Sequence, residues 1–174
     1  MVNPLFIWRI FLLNIKKSIS WLLVLLWMGI IFFLSAQSGP ESGALSSNLT
    51  EQIIALLKQF NLDISVQVSS FESILRTNAH FIAYFILGIL VFNALRWDDA
   101  SPYHQSFIRA FIISVLYAIS DEFHQYFVPE RAAELKDVLV DSAGALSGIL
   151  IIFLILRIRA KVSKRQSQTT KSSA

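Results

Sequence analysis

The sequence predicts an all-α, polytopic membrane protein with four transmembrane helices. Apolar residues make up 55% of the 174-residue chain and charged residues only 16%, and long apolar runs alternate with polar segments. A soluble domain carries about 25% charged residues, and a disordered chain combines low hydrophobicity with high charge. The composition therefore excludes a disordered chain and argues against a soluble domain, and the length fits one domain.

The first predicted span covers residues 19–36. At about 1.5 Å rise per residue, about 20 residues cross the hydrocarbon core, so this run is just long enough. The mostly apolar stretch from Pro4 to Ile15 lies ahead of it and predicts an N-terminal helix at the membrane interface. A cleavable signal peptide is the alternative. Leu34, at the −3 position relative to Ala36, is too large for a good cleavage site, which favours a retained membrane anchor.

Three further apolar runs complete the predicted topology. They cover residues 79–97, 107–128 and 138–158. The middle run is the least apolar, because it carries two acids and a histidine. The prediction is one membrane domain over residues 1–158, followed by a basic, disordered cytoplasmic tail over residues 159–174.

The first outer loop, residues 37–77, is long and contains a predicted amphipathic helix. The loop opens with the turn-rich segment Ser38 to Gly43. The run Asn48-Leu-Thr-Glu51 is typical of a helix start, with a capping residue and a glutamate three positions later. Leu49 and Ile53 follow at helical spacing. The sequence therefore predicts a helix that begins near Asn48 and lies on the membrane or caps the bundle.

The basic residues predict the orientation of the chain. Of the 15 Lys and Arg residues, all but Lys58, Arg76, Arg131 and Lys136 fall on the side that holds both termini. The positive-inside rule then places both termini in the cytoplasm. Because basic residues flank apolar segments and form no separate groove, no nucleic-acid partner is expected. Without cysteine, the chain has no disulfide, thiol nucleophile or thiolate metal site.

Polar residues concentrate at three helix ends: the start of the second span, the end of the third and the start of the fourth. In a hairpin topology these ends share one membrane face. A carboxylate at membrane depth costs several kcal/mol unless it is paired, protonated or hydrated, so these residues should face one another. The candidate site residues are Arg76, His80, Tyr84, Asp121, Glu122, His124, Gln125, Arg131, Asp137 and Asp141.

Their residue types predict the chemistry of such a site. Arg76 and Arg131 suit a phosphate or carboxylate, because guanidinium geometry matches these anions. If a reaction occurs, Asp121 or Glu122 is the base and His80 the acid or its partner. The other candidates would contact the ligand. No metal site is predicted: a divalent ion on Asp121, His124 and Asp141 is conceivable, but the pattern is not a zinc signature. The cofactor stays open, and a purely structural ion network is the alternative.

Three motifs make the chain resemble the VanZ-like family of small bacterial membrane proteins. They are Arg76-Thr-Asn-Ala-His80-Phe-Ile-Ala-Tyr84, Asp121-Glu-Phe-His-Gln-Tyr-Phe-Val-Pro-Glu-Arg131 and Asp137-Val-Leu-Val-Asp141-Ser-Ala-Gly144. A serine-rich segment after the first span also resembles the family's. Two positions depart from the pattern. The family often has Pro-Gly-Arg where this chain has Pro129-Glu130-Arg131, and many members have Asn where Asp141 stands.

The resemblance implies a multi-pass protein of the bacterial cell membrane. The family is named for a protein associated with resistance to the glycopeptide teicoplanin. The resemblance implies a fold, a location and a site, but no particular reaction. The expected ligand is an anionic headgroup at the outer leaflet, from a membrane lipid or a lipid-linked envelope precursor. The alternatives are a small transporter and a non-catalytic accessory or scaffold protein. A homodimer through Gly144 and Gly148 also stays open.

Overall fold

The computed structural model describes residues 4–59, 68–97 and 102–172, and nearly all of them are helical. No β-strand occurs within these ranges, so the all-α prediction is confirmed. Five helices follow one another: α1 Pro4–Ser35, α2 Gly39–Gln59, α3 Val68–Arg96, α4 Tyr103–Gln125 and α5 Leu135–Ser172.

Three helices are long and apolar enough to cross a membrane, as far as the described ranges extend. The segments are Leu12–Ser35, Ser73–Arg96 and Leu135–Ser163, which correspond to the first, second and fourth predicted spans. The third predicted span, residues 107–128, coincides with α4, which is long enough at 23 residues but less apolar than these three helices. Its helix also ends at Gln125, because the residues up to Val128 form a turn.

The helix α1 combines two elements that the sequence predicts separately. The N-terminal extension is helical, as predicted, but it continues without a break into the first span. No glycine or proline lies between Leu5 and Met28 that could interrupt the backbone hydrogen bonds. Its location at the membrane interface stays a prediction.

The helix α2 begins nine residues earlier than predicted. The prediction of a start near Asn48 is wrong, because Asn48 lies inside the helix. The true start is a capping box. The backbone N–H and Oγ of Ser38 both donate to Glu41 Oε2 at 2.9 Å, and the Glu41 N–H faces Ser38 Oγ at 3.5 Å. These bonds favour the ionised carboxylate and lower the pKa of Glu41.

The helix α5 extends far beyond the predicted fourth span. The sequence predicts disorder from residue 159, whereas the structure continues the helix to Ser172. The segment after Ile158 contains no glycine or proline and is rich in Lys, Arg and Gln, which are good helix formers. Residues 173–174 lie outside the described ranges.

The core of the bundle is the pair of helices α3 and α5, which approach very closely. Their contact lies at small residues, as in membrane helix pairs generally. A Cβ built at Gly144 or Gly148 would lie closer than 3.0 Å to the backbone carbonyl oxygen of Phe81 or Phe85. A Cβ at Gly88 would lie 2.5 Å from the carbonyl oxygen of Ala145. The face of α5 that carries Gly144 and Gly148 is therefore occupied by α3 and is not available to a second copy.

The helices α1 and α4 complete the bundle through side-chain hydrogen bonds to backbone carbonyls. Trp27 on α1 donates its indole N–H to the carbonyl of Ala83 at 2.9 Å. Tyr117 on α4 donates its hydroxyl to the carbonyl of Met28 at 2.6 Å. These bonds fix the depth of α1 beside α3 and α4, and so place the end of α1 beside the end of α4.

The two faces of α4 differ in polarity. Its buried face is polar at Ser106, Ser114, Asp121, Glu122 and Gln125. Its outward face is an apolar stripe in which every side chain is at least half exposed: Ile108, Ile112, Leu116, Ile119 and Phe123. Both acids of α4, Asp121 and Glu122, therefore point into the protein, whereas Arg109 and His104 are exposed.

Candidate functional site

The predicted polar residues come together at one end of the bundle. Helices α3 and α5 meet there through His80 and Asp141, whose Nδ1 and Oδ1 atoms lie 3.3 Å apart. Asp141 is fully buried, and the His80 side chain is 16% exposed. The Oδ2 atom of Asp141 has no hydrogen-bond partner within the described residues. The pair thus presents an unsatisfied carboxylate oxygen to the interior.

Glu122 joins this pair from α4. Its Oε2 atom accepts the backbone N–H of Glu134 at 3.0 Å. Its Oε1 atom is buried and lacks a hydrogen-bond partner in the part of the chain that is described. One imidazole nitrogen of His80 and one carboxylate oxygen each of Glu122 and Asp141 lie within 4.8 Å of one another.

Asp121 belongs to a second hydrogen-bonded chain next to this group. Ser35 Oγ donates to Asp121 Oδ2 at 2.8 Å, and Gln125 Nε2 donates to the same oxygen at 3.3 Å. Arg131 Nη1 then donates to Gln125 Oε1 at 3.1 Å, and Arg131 Nε donates to the carbonyl of Gln37 at 3.3 Å. The chain links the end of α1, the end of α4 and the loop before α5.

The turn that carries Arg131 has a strained residue. The Arg131 N–H donates to the Val128 carbonyl at 3.2 Å, and Glu130 has φ 57°, in the left-handed region. A proline followed by a positive-φ residue is typical of a type II turn, which favours glycine at that second position. Glu130 thus has the left-handed backbone conformation that glycine would favour in the Pro-Gly-Arg pattern.

The start of α2 is docked on the same turn. The Gly39 N–H donates to the Pro129 carbonyl at 3.2 Å, and a Cβ at Gly39 would lie 2.5 Å from the Glu130 carbonyl oxygen. Only glycine permits this approach. The turn before α5 and the beginning of α2 therefore form one lid over the end of the bundle.

A cavity of about 310 Å³ lies beneath this lid, between α1, α2 and α3. Most of its wall is apolar and comes from residues such as Ile31, Leu34, Leu45, Leu49 and Ile82. Its polar end is formed by Ser35, Arg76, His80, Tyr84 and Arg131.

Two arginines line the polar end of the cavity. Arg76 is exposed at its rim, and Arg131 is half-buried beside it. Burial and the neighbouring positive charge of Arg76 lower the pKa of Arg131, whereas Glu122 and Asp121 act in the opposite direction. An anion between the two guanidinium groups would relieve their repulsion.

The remaining predicted residues lie around this centre. The hydroxyl of Tyr84 is fully buried and has no partner among the described residues. His124 stacks on Phe32 at 4.3 Å between ring centroids, which turns it toward α1. Asp137 is half-buried, and its charge acts on His80, Glu122 and Arg131. The sequence suggests Asp121, His124 and Asp141 as conceivable ligands of one divalent ion. In the fold, the ligand atoms that lie close together with Asp141 are those of His80 and Glu122.

Two contributions to the site were not predicted from the sequence. Ser35 and Gln37, at the end of α1, contact Asp121 and Arg131, and α2 forms one wall of the cavity. The sequence feature that could have indicated Ser35 and Gln37 is the change from apolar to polar residues at the end of the first span, in the serine-rich segment that resembles the family's. The position of α2 follows from its docking through Gly39 on Pro129, a residue 90 positions away in the sequence.

These features define a class: a small, all-α, membrane-type protein with a buried cluster of acids, histidine and arginine at one end of its bundle. The chain matches the VanZ/LLP1 family model over residues 20–157 and belongs to that family. The resemblance noted in the sequence is thereby confirmed. No curated protein and no solved structure matches the chain.

Proposed function

We propose that this VanZ/LLP1 family protein binds the anionic headgroup of a membrane lipid or a lipid-linked cell-envelope precursor. The observation that supports the proposal is the cavity with apolar walls and two arginines at one end. An amphiphile has the same division between chain and headgroup. Pockets for such ligands combine an apolar lining with a few polar groups that fix the orientation.

The two arginines supply the recognition of the headgroup. Guanidinium groups bind phosphate and carboxylate oxygens through paired hydrogen bonds, and Arg131 is already held in place by Gln125 and Gln37. A side chain ordered in advance loses less entropy when the ligand binds. Arg76, which is exposed at the rim, is placed to meet an anion as it enters.

The lipid chain would lie against the apolar wall of α1 and α3. Leu34 and Ile82 line the cavity and are about half exposed. A cavity of this size accommodates a headgroup and the first part of a lipid tail, with the rest of the tail outside among other lipids. The lipid could then bind without leaving the membrane completely.

The proposed orientation places this site at the outer leaflet of a bacterial cell membrane, with both termini in the cytoplasm, in line with the distribution of Lys and Arg. It requires α4 to be a fourth span. The exposed apolar stripe of α4 favours this, because lipid would contact that stripe while the polar face stays buried.

Binding is favoured over transport by the middle of the bundle. Below the polar end, fully buried apolar side chains fill the space between the helices, among them Leu87, Val91, Phe92 and Ile149. A path for ions or solutes would need a continuous line of polar groups, whereas Ser106 and Ser114 on the buried face of α4 supply isolated hydroxyls. A catalytic role for His80, Asp121 and Glu122 belongs to the same proposal, since acids and a histidine lie next to the headgroup position.

A link to glycopeptide resistance, teicoplanin included, is the wider part of the proposal. A protein that holds lipid-linked cell-wall precursors alters how many of them are exposed at the outer surface. The chemistry of the ligand would decide between this role and the handling of ordinary phospholipids.

The test is to purify the protein in mild detergent and identify the bound lipids by native mass spectrometry and lipid extraction. We expect an anionic lipid with the wild type, and at least about a tenfold loss in R76A, because a charge-assisted pair of hydrogen bonds is removed. The matched control is K136A, which removes one positive charge from an exposed residue that does not line the cavity.

The buried member of the pair requires a milder change. R131K retains the charge but loses the fork of donors that holds Gln125 and Gln37, so it should bind the lipid less well than K136A does. Equal lipid content in R76A, R131K and K136A would refute the proposal. Asp121 is tested as a catalyst separately: unchanged lipid-phosphate turnover in D121N removes it from that role.

A further inference from the structure

We propose that His80, Glu122 and Asp141 form a binding site for a divalent transition-metal ion, such as Zn²⁺ or Mn²⁺. The three residues come from three different helices, α3, α4 and α5. Their ligand atoms lie within 4.8 Å of one another. Two ligands of one ion at about 2.1 Å can be at most about 4.2 Å apart, so small side-chain rotations close the set.

A second observation points to a missing ligand at this place. Glu122 is 4% exposed and Asp141 is fully buried. Yet Glu122 Oε1 and Asp141 Oδ2 have no hydrogen-bond partner in the described parts of the chain. A buried carboxylate oxygen without a donor is unfavourable, and native proteins rarely leave one in that state. A cation between the two carboxylates would satisfy both oxygens.

The charges around the cluster favour a cation for the same reason. Asp121, Glu122 and Asp141 are all buried, and Asp137 acts on the same group from its edge. Among the positive groups, His80 faces Asp141, and Arg131 donates its hydrogen bonds to Gln125 and Gln37 while its charge also acts on the acids. The neighbouring acids therefore outnumber the positive groups that contact them. A divalent ion would reduce the mutual repulsion of these acids.

The donor set selects the class of metal. Imidazole with carboxylates suits zinc, iron, manganese and related ions, whereas calcium and magnesium prefer oxygen ligands alone. Three protein ligands leave a coordination position open, as catalytic zinc sites do. The backbone N–H of Glu134 donates to Glu122 Oε2 and orients this carboxylate, as hydrogen bonds to metal ligands commonly do.

The position of this site beside the cavity gives it a role, which rests on the proposed binding of an anionic headgroup. His80 both contacts Asp141 and lines the cavity, so a metal ion would lie at the polar end beside the headgroup. Phosphate oxygens are good ligands for an open position of such an ion. The arginines would contact the headgroup from one side, and the metal ion would contact it from the other.

The experiment measures metal binding alone, with tag-free protein in detergent and no added lipid. Mn²⁺ is titrated and followed by electron paramagnetic resonance, and Zn²⁺ is counted by elemental analysis after dialysis. We expect one ion per chain, with at least about a tenfold weaker affinity in E122Q and D141N. The control E130Q makes the same acid-to-amide change at an exposed residue and should bind like the wild type.

A spectroscopic measurement keeps the proposal testable if a variant fails to fold. In the wild type, bound Mn²⁺ should show magnetic coupling to an imidazole nitrogen, and this coupling should persist in H104Q, whose exposed histidine lies at the other end of α4. Absence of nitrogen coupling in the wild type overturns the site, as does unchanged binding in both E122Q and D141N. Because no lipid is present, these failures leave the lipid proposal untouched, and loss of lipid in R76A does not affect the metal assignment.

Discussion

The substitution Gly88→Ala tests the close contact of α3 and α5 on which the site depends. The new Cβ would lie 2.5 Å from the carbonyl oxygen of Ala145 and 3.1 Å from its Cα. Ordinary contacts begin at 3.4 Å, so the overlap is about 0.9 Å, and the obstacle is the backbone of another helix, which cannot rotate away. Helices α3 and α5 must therefore separate.

The expected magnitude comes from a comparison with a second glycine. Gly29 lies on α1, and a Cβ built there meets no described atom within 4 Å. Both substitutions replace glycine by alanine inside a helix, so the gain in helix propensity, up to about 1 kcal/mol, is similar in the two variants. The difference between G88A and G29A thus isolates the packing cost. We expect G88A to have a free energy of unfolding about 1–3 kcal/mol lower than that of G29A.

The assay is equilibrium unfolding in mixed detergent micelles with increasing SDS, followed by circular dichroism and tryptophan fluorescence. Helical content before the transition confirms that each variant starts folded. Equal midpoints for G88A and G29A would refute the close α3–α5 contact, and with it the geometry of the His80–Asp141 pair that depends on this contact.

Two further predictions concern the turn before α5 and the path of α4. E130G should raise the free energy of unfolding by up to about 1 kcal/mol, because glycine adopts the left-handed conformation of residue 130 without strain. The control E130A should not raise it. If E130G were less stable than E130A in the same SDS titration, the turn would be contradicted. Since the chain has no cysteine, E130C and H104C introduce single labels at exposed positions near opposite ends of α4. If α4 spans the membrane, an impermeant maleimide added to intact cells labels E130C but not H104C, and equal labelling of both would exclude a crossing.

The long apolar helices could be predicted from the sequence because hydropathy is a local property. The segments Leu12–Ser35, Ser73–Arg96 and Leu135–Ser163 correspond closely to the predicted spans. The case of α4 shows the limit of that method. An average over the sequence counts Asp121 and Glu122 against a membrane helix, although the fold buries them and exposes Leu116 and Phe123.

The start of α2 was missed because Gly39 and Pro40 normally indicate a turn. Proline is accepted in the first turn of a helix, where its missing N–H has no partner to lose. Ser38 and Glu41 stand at capping-box spacing and satisfy each other. Asn48 and Glu51 have the same spacing, and nothing local distinguishes the two. The docking of Gly39 on Pro129 makes the first start the one that the fold uses.

The convergence of the polar residues could be predicted from topology alone, since a hairpin of helices brings their ends together. The cavity could not be predicted in this way. It depends on the contact of Arg131 with Gln37, a pair 94 residues apart in the sequence, and on the closing of α2 over the bundle. The grouping of His80, Glu122 and Asp141 likewise depends on helix rotation, which hydropathy does not determine.

The glycines of α5 are therefore part of the site as well as of the packing. Gly144 follows Asp141 by three residues, and its contact, Phe81, directly follows His80. A helix rises about 1.5 Å per residue, so the glycine contact lies about one turn from the His80–Asp141 pair. If α3 and α5 were separated by the width of a methyl group, the 3.3 Å contact between histidine and carboxylate would open, and Asp141 would stay buried without its partner. Close packing at Gly144 is thus what makes a fully buried acid at position 141 tolerable, and that acid in turn brings His80 to the end of the cavity.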